Sequence, residues 1–131
     1  MPNRLLASFV AIVALAVSSG CTTLADARAA KGSGPSREYA ASMDKVWNTI
    51  PIVLKELELP LVSQNRAEGT VLAQRGVTAF SYGENVAIFV EPVGGQTRTR
   101  VEIVSKKAME TNIFAPDWSR EILDKLGEKL R

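Results

Sequence analysis

The sequence predicts an α+β fold, a two-layer sandwich in which two helices cover one face of an antiparallel sheet of about four strands. Apolar residues recur three and four positions apart in two segments, near Met43 and near the C-terminus, which is typical of amphipathic helices. Between these segments, stretches rich in β-branched residues alternate apolar and polar side chains, as strands with one buried face do. Runs of strands separate from the helices favour α+β over an alternating α/β fold.

The first predicted helix runs from Met43 to Glu58, and Ser42 is its candidate N-cap. Pro51 lies inside this helix, where proline removes a backbone donor and clashes with the preceding turn. We therefore expect either a kink at Pro51 or two shorter helical pieces. Pro60 ends the element.

Four stretches carry strand signals, with the option of a short leading strand at Glu38–Ala40. They are Leu61–Gln64, Gly69–Arg75, Asn85–Val93 and Thr97–Ser105. The last two flank Gly94-Gly95 and so predict a hairpin. The element order is then α-β-β-β-β-α.

Alternation along this hairpin assigns side chains to two faces. One face holds Val86, Ile88, Val90, Val101 and Ile103.

In the second strand of the hairpin, Arg98, Arg100 and Glu102 lie on the opposite face, and we expect them to point to water. Arg98 and Arg100, together with Lys106 and Lys107, form the densest basic stretch in the chain. Either it is a contact patch for anionic lipid headgroups or an acidic protein partner, or it is an ordinary soluble sheet face.

The segment Gly76–Glu84 is either a loop or an extra edge strand. It carries Phe80 and Tyr82 between glycines. These aromatics are either an exposed contact surface or buried at a sheet edge.

The last helix is predicted to begin near Pro116, a residue suited to the first helical position. Its apolar stripe includes Trp118, Ile122 and Leu126. We expect Trp118, like Trp47 in the first helix, to pack in the core.

The N-terminal segment has the anatomy of a cleaved signal peptide at residues 1–20. Arg4 precedes an apolar run from Leu5 to Val17, which is too short for a comfortable membrane span, and small residues then lead to Cys21. An ordinary secretory signal with an incidental cysteine and an uncleaved anchor are the alternatives.

This segment resembles the bacterial lipoprotein signal family, although Ser18 stands where that family has a branched apolar residue. The resemblance implies a diacylglyceryl thioether and an acylated amine on Cys21. Thr22 stands where an aspartate would mark retention at the inner membrane, so the resemblance implies the periplasmic face of the outer membrane.

Residues 21–37 are rich in Ala, Gly and Ser, and we expect a lipidated N-terminus followed by a flexible tether. The globular domain is expected to span residues 38–131.

Composition excludes several kinds of chemistry. The chain has no histidine and one cysteine, which excludes a Ser-His-Asp triad, a Cys-His pair, histidine-ligated zinc and an internal disulfide. We predict no metal, no cofactor and no catalytic residues. A formal net charge of +2 gives no indication of nucleic-acid binding.

Four segments of the domain carry a resemblance to known proteins: Asp44–Trp47, Arg66–Thr70, Val101–Lys107 and Asn112–Trp118. Through them the domain resembles a family of small bacterial lipoprotein domains of uncharacterised function. More distantly, it resembles the repeated domains of BamC, a lipoprotein of the machinery that assembles outer-membrane barrels. It implies a non-enzymatic envelope module with a protein partner; the alternative is a module that binds a lipid or a cell-wall fragment.

Overall fold

The chain folds around one antiparallel sheet, described here from a computed structural model that covers residues 22–79, 81, 83–109, 111, 113 and 115–131. The predicted signal peptide and Cys21 lie outside the described residues, as do Phe80 and Tyr82. In chain order the elements are α1 (Leu24–Ala29), β1 (Ser36–Tyr39), α2 (Met43–Glu56), β2 (Leu61–Asn65), β3 (Thr70–Arg75), β4 (Glu84–Val93), β5 (Arg98–Lys107) and α3 (Trp118–Lys129).

The sheet has five strands in the order β1-β5-β4-β3-β2, with antiparallel neighbours throughout. The α+β class is confirmed, and the leading strand is present. It begins at Ser36, two residues earlier than expected, and Arg37 pairs with Val101 of β5. This pairing covers the edge of β5, whose backbone groups would otherwise lack partners in the sheet.

Helices α2 and α3 cover the same face of the sheet, as predicted. The alternation along β4 and β5 is also confirmed, because Val86, Ile88, Val90, Val101 and Ile103 all join the core on that face. Trp47 of α2 and Trp118 of α3 are buried in the same core.

Helix α2 runs through Pro51 as one element, so the alternative of two helical pieces is wrong. Ser42 is its N-cap, and its side chain accepts a hydrogen bond from the Lys45 backbone N–H. The helix ends at Glu56, two residues before the predicted end.

The predicted flexible tether is wrong, because much of it packs against the second face of the sheet. Ala27 of α1 is fully buried against the other members of this second cluster, which are Ala87, Phe89 and Val104. Strand β4 is buried on both faces between Glu84 and Val90, so its second apolar face needs a cover that the two larger helices do not supply. The folded domain therefore begins at about residue 22 rather than 38, and a short third layer joins the expected two.

The chain returns from α1 to the sheet through a close approach at Gly34. A Cβ atom at this position would lie 2.0 Å from the carbonyl oxygen of Ile103, so only glycine fits. The Glu102 carboxylate accepts hydrogen bonds from the backbone N–H groups of Gly32 and Gly34, at 2.6 and 3.1 Å. Glu102 thus binds the protein's own backbone, which corrects the expectation that it points to water.

The segment between β3 and β4 forms no strand at its described positions, which are residues 76–79, 81 and 83. The expectation of an extra edge strand finds no support there. Helix α3 begins at Trp118, and its N-cap is Asp117. Pro116 therefore precedes the cap instead of occupying the first helical position.

Candidate functional site

Thr22, the residue after Cys21, is held at one end of the sheet by three hydrogen bonds. Its backbone N–H donates to the Ala108 carbonyl at 2.9 Å, and its carbonyl accepts from the Asn85 side-chain amide at 2.8 Å. Its hydroxyl donates to the Lys107 carbonyl. We call this the anchor end of the sheet: the place where β3 ends, β4 begins and β5 ends.

Asn85 is the residue that makes this attachment possible. It is almost fully buried, and its amide oxygen accepts a hydrogen bond from Gln74 at 2.7 Å while its amide nitrogen binds Thr22. Both polar ends of the side chain are therefore satisfied inside the protein. The only sequence signal for this contact was that Asn85 is polar and directly precedes the apolar run of β4.

The chain after Thr22 is fixed as well. Thr23 and Asp26 form a capping box at the start of α1. Hydrogen bonds from the Thr23 side chain and backbone lower the pKa of the Asp26 carboxyl group. A group attached to residue 21 is thus one peptide unit away from a residue that is bound to the domain, and no loose segment separates the two.

The predicted basic contact patch does not form as one surface. Arg98 and Lys107 are the two ends of β5, and a ten-residue strand spans about 30 Å. The structure therefore places Arg98 and Arg100 far from Lys106 and Lys107.

Arg98 and Arg100 are also paired within the protein. Arg98 Nη1 lies 3.3 Å from Glu38 Oε2, and Arg100 Nε donates to Glu91 Oε1 at 2.7 Å. Because each arginine is paired with its own carboxylate, the two pairs present little net charge to a ligand. Sequence alternation placed both arginines on the correct face but could not supply these cross-strand partners, which depend on register.

Phe80 and Tyr82, the other half of the candidate contact surface, lie outside the described residues. Three other apolar side chains near the anchor end are exposed. Val77 is 75% exposed, Ile113 74% and Met109 38%. Each is an apolar residue in a loop that follows a strand, outside any regular apolar pattern, and this was the only sequence signal for its exposure.

Glu84 is a buried carboxyl group at the anchor end, although carboxyl groups are rarely fully buried in proteins. The Ser81 hydroxyl donates to Glu84 Oε1, whereas Oε2 has no hydrogen-bond partner among the described residues. Arg75 and Lys107 are its cross-strand neighbours. Because no part of Glu84 is exposed, it cannot meet a substrate in this conformation.

An apolar groove of about 430 Å³ opens on the surface beside the C-terminal end of α2. Its lining includes Pro51, Leu54, Leu59 and Leu61. It lies at the surface and not in a cavity between the helices and the sheet.

Neither a metal centre nor a membrane span is found in the part of the chain that the structure describes. No group of three or more Asp, Glu, Cys or His side chains is placed to hold a metal ion among those residues. None of their helices has the length and apolar character needed to cross a bilayer. No protein-family model matches this chain, and no curated protein sequence is significantly similar to it.

Proposed function

We propose that this protein is a lipoprotein of the bacterial cell envelope, anchored through acyl chains on Cys21, whose domain is a non-enzymatic interaction module. The observation that carries the proposal is the N-terminal pattern: an apolar run from Leu5 to Val17, three small residues, and then the only cysteine of the chain. Acyl chains provide firm membrane attachment, since each buried methylene contributes ~0.8 kcal/mol and more than one chain gives stable anchoring.

The position of Thr22 supports this proposal. A lipidated N-terminus must leave the folded domain at its surface, and Thr22 lies at an end of the sheet next to exposed loops. Thr22 itself, in place of an aspartate, favours the outer membrane. The partner that we propose is a protein of an envelope assembly or maintenance complex, in line with the resemblance to BamC domains.

The absence of histidine supports a non-enzymatic role, because the common nucleophile–base pairs cannot form. In the proposed mature protein the cysteine sulfur is a thioether, which removes the remaining strong nucleophile.

The test is a comparison of Cys21→Ala with Ser18→Leu in cells. Cys21→Ala removes the sulfur that receives the lipid, so we expect loss of acylation and release or mislocalisation of the domain. Ser18→Leu supplies the branched residue of the lipoprotein signal pattern, so acylation and membrane attachment should remain. Equal acylation and membrane partition of Cys21→Ala and the wild type would contradict the proposal.

The surface groove favours a second candidate, a module that binds a lipid tail. Its volume is within the range of small-ligand sites, and Ile52, Leu61 and Val62 leave further apolar surface in this part of the fold. Native mass spectrometry of gently purified protein would reveal a bound species. Leu61 lines the groove and is exposed, so Leu61→Asp should change the groove without disrupting the core. Loss of the bound species in Leu61→Asp, with acylation intact, would favour this role over docking to a protein.

A further inference from the structure

We propose that the anchor end of the sheet rests directly on the lipid bilayer, so that Cys21 acylation fixes the orientation of the domain as well as its location. This inference depends on the proposed anchor at Cys21. Its new content is a membrane-contact surface formed by the loop after β3 and the segment after β5. The residues that carry it are Val77, Met109 and Ile113, with Lys106 and Lys107 beside them.

Thr22 lies at the anchor end of the sheet, one residue after the proposed site of acylation. Thr22 is bound to Ala108 and Lys107 at the end of β5, and Asn85 holds its carbonyl. Acyl chains on residue 21 therefore bring this end of the sheet to the membrane. A connection of one peptide unit gives the adjacent loops a high effective concentration at the bilayer, so even weak surface contacts are occupied.

The loop after β3 and the segment after β5 both begin at this end of the sheet. The Ala108 backbone N–H donates to the Gly83 carbonyl at 2.9 Å, which joins the segment after β5 to the loop before β4. Val77 follows the last residue of β3 by two positions, and Met109 follows Ala108.

The loops of the anchor end expose large apolar side chains. Six large apolar residues are exposed among the described residues, and three of them, Val77, Met109 and Ile113, lie in these loops. The other three are Ile52, Leu61 and Val62. None lies in the turns at the opposite end, residues 66–69 and 94–97. Exposed apolar side chains at the end that carries the anchor fit the boundary between headgroups and acyl chains.

Charge at the anchor end also fits a bilayer surface. Lys106 and Lys107 are suited to anionic headgroups. Three carboxyl groups among the described residues of this region are engaged within the protein: Glu84 is buried, Asp26 binds Thr23, and Asp117 caps α3.

The experiment uses spin labels on the full acylated protein in vesicles of phosphatidylethanolamine and phosphatidylglycerol. The variants are Val77→Cys and Ile113→Cys, with Thr97→Cys as the control at the opposite end. All three positions are exposed, so the substitutions should leave the fold intact. Acylation blocks the Cys21 sulfur, so each variant should take up one label.

We expect labels at positions 77 and 113 to be shielded from an aqueous nickel chelate and to lie about 5–10 Å below the headgroup surface. The label at position 97 should be fully accessible. Equal accessibility at all three positions, in protein that floats with the vesicles and carries one label, would overturn the membrane-contact surface. It would not contradict the anchor at Cys21. If the protein takes up two labels and does not float with the vesicles, both the anchor at Cys21 and the membrane-contact surface are contradicted.

Discussion

Glu58 adopts a backbone conformation that is unfavourable for a residue with a side chain. It follows the C-cap of α2 with a φ of +54°, in the left-handed region that favours glycine. The Glu58 N–H binds the Lys55 carbonyl and the Leu59 N–H binds the Leu54 carbonyl, so the helix ends in a Schellman motif. The buried Leu59 side chain fixes this motif on the core.

We predict that Glu58→Gly stabilises the protein by about 1 kcal/mol, because glycine adopts this conformation without strain. Lys55→Gly, one turn back in the regular helix, should instead destabilise it by about 1 kcal/mol. Urea unfolding of the three proteins measures both changes. Destabilisation of similar size in both variants would show that the left-handed position carries no strain.

Tyr39 makes a contribution to stability that is lost at alkaline pH. Its hydroxyl donates to the Leu123 carbonyl at 2.6 Å, and burial raises the pKa of the phenol to about 12, with the nearby Arg37 partly opposing the shift. The folded state therefore resists ionisation that the unfolded state undergoes near pH 10. The resulting stabilisation is complete below pH 10 and is lost as the pH rises toward 12.

We expect the free energy of unfolding of the wild type to fall more steeply between pH 10 and 12 than that of Tyr39→Phe. The difference should reach about 2–3 kcal/mol, since each pKa unit corresponds to about 1.4 kcal/mol. Groups common to both proteins cancel in this comparison. Parallel pH profiles would mean that Tyr39 ionises equally easily in both states.

At the scale of elements, α1 is the piece that the sequence did not reveal. It has six residues, and three of its four apolar residues are alanines, so it is too short for a detectable helical period. The alternation of β4 and β5 was predictable because each strand has ten residues and apolar side chains at alternate positions in its middle. The cover of the second face depends on Ala87 and Phe89, which alternation alone assigns to solvent.

We predict that Ala27→Asp detaches α1 and lowers the free energy of unfolding by about 2 kcal/mol or more, because it places an unpaired charge against Ala87 and Phe89. Ala25→Asp changes an exposed position of the same helix and should have little effect. Limited proteolysis should then cut residues 22–35 in Ala27→Asp only. Equal resistance of the two variants would contradict the packing of α1.

At the scale of the whole molecule, the packed N-terminal segment changes how the proposed anchor at Cys21 would connect the domain to a membrane. A flexible tether over residues 22–37 would allow an average reach of about 20–24 Å. Because Thr22 is bound at the end of the sheet, that freedom is replaced by a direct attachment. The candidate site was predictable only in part: Cys21 follows from local sequence, whereas the anchor end is assembled from residues more than sixty positions apart.

The central claim is that acyl chains on Cys21 hold this domain at the membrane. The most direct test is the intact mass and N-terminal residue of the mature protein purified from cell membranes. The account predicts a chain that begins at Cys21 and carries the mass of a thioether-linked diacylglycerol and an amide-linked acyl group. A chain that begins elsewhere, or that carries no fatty-acid mass, would contradict it.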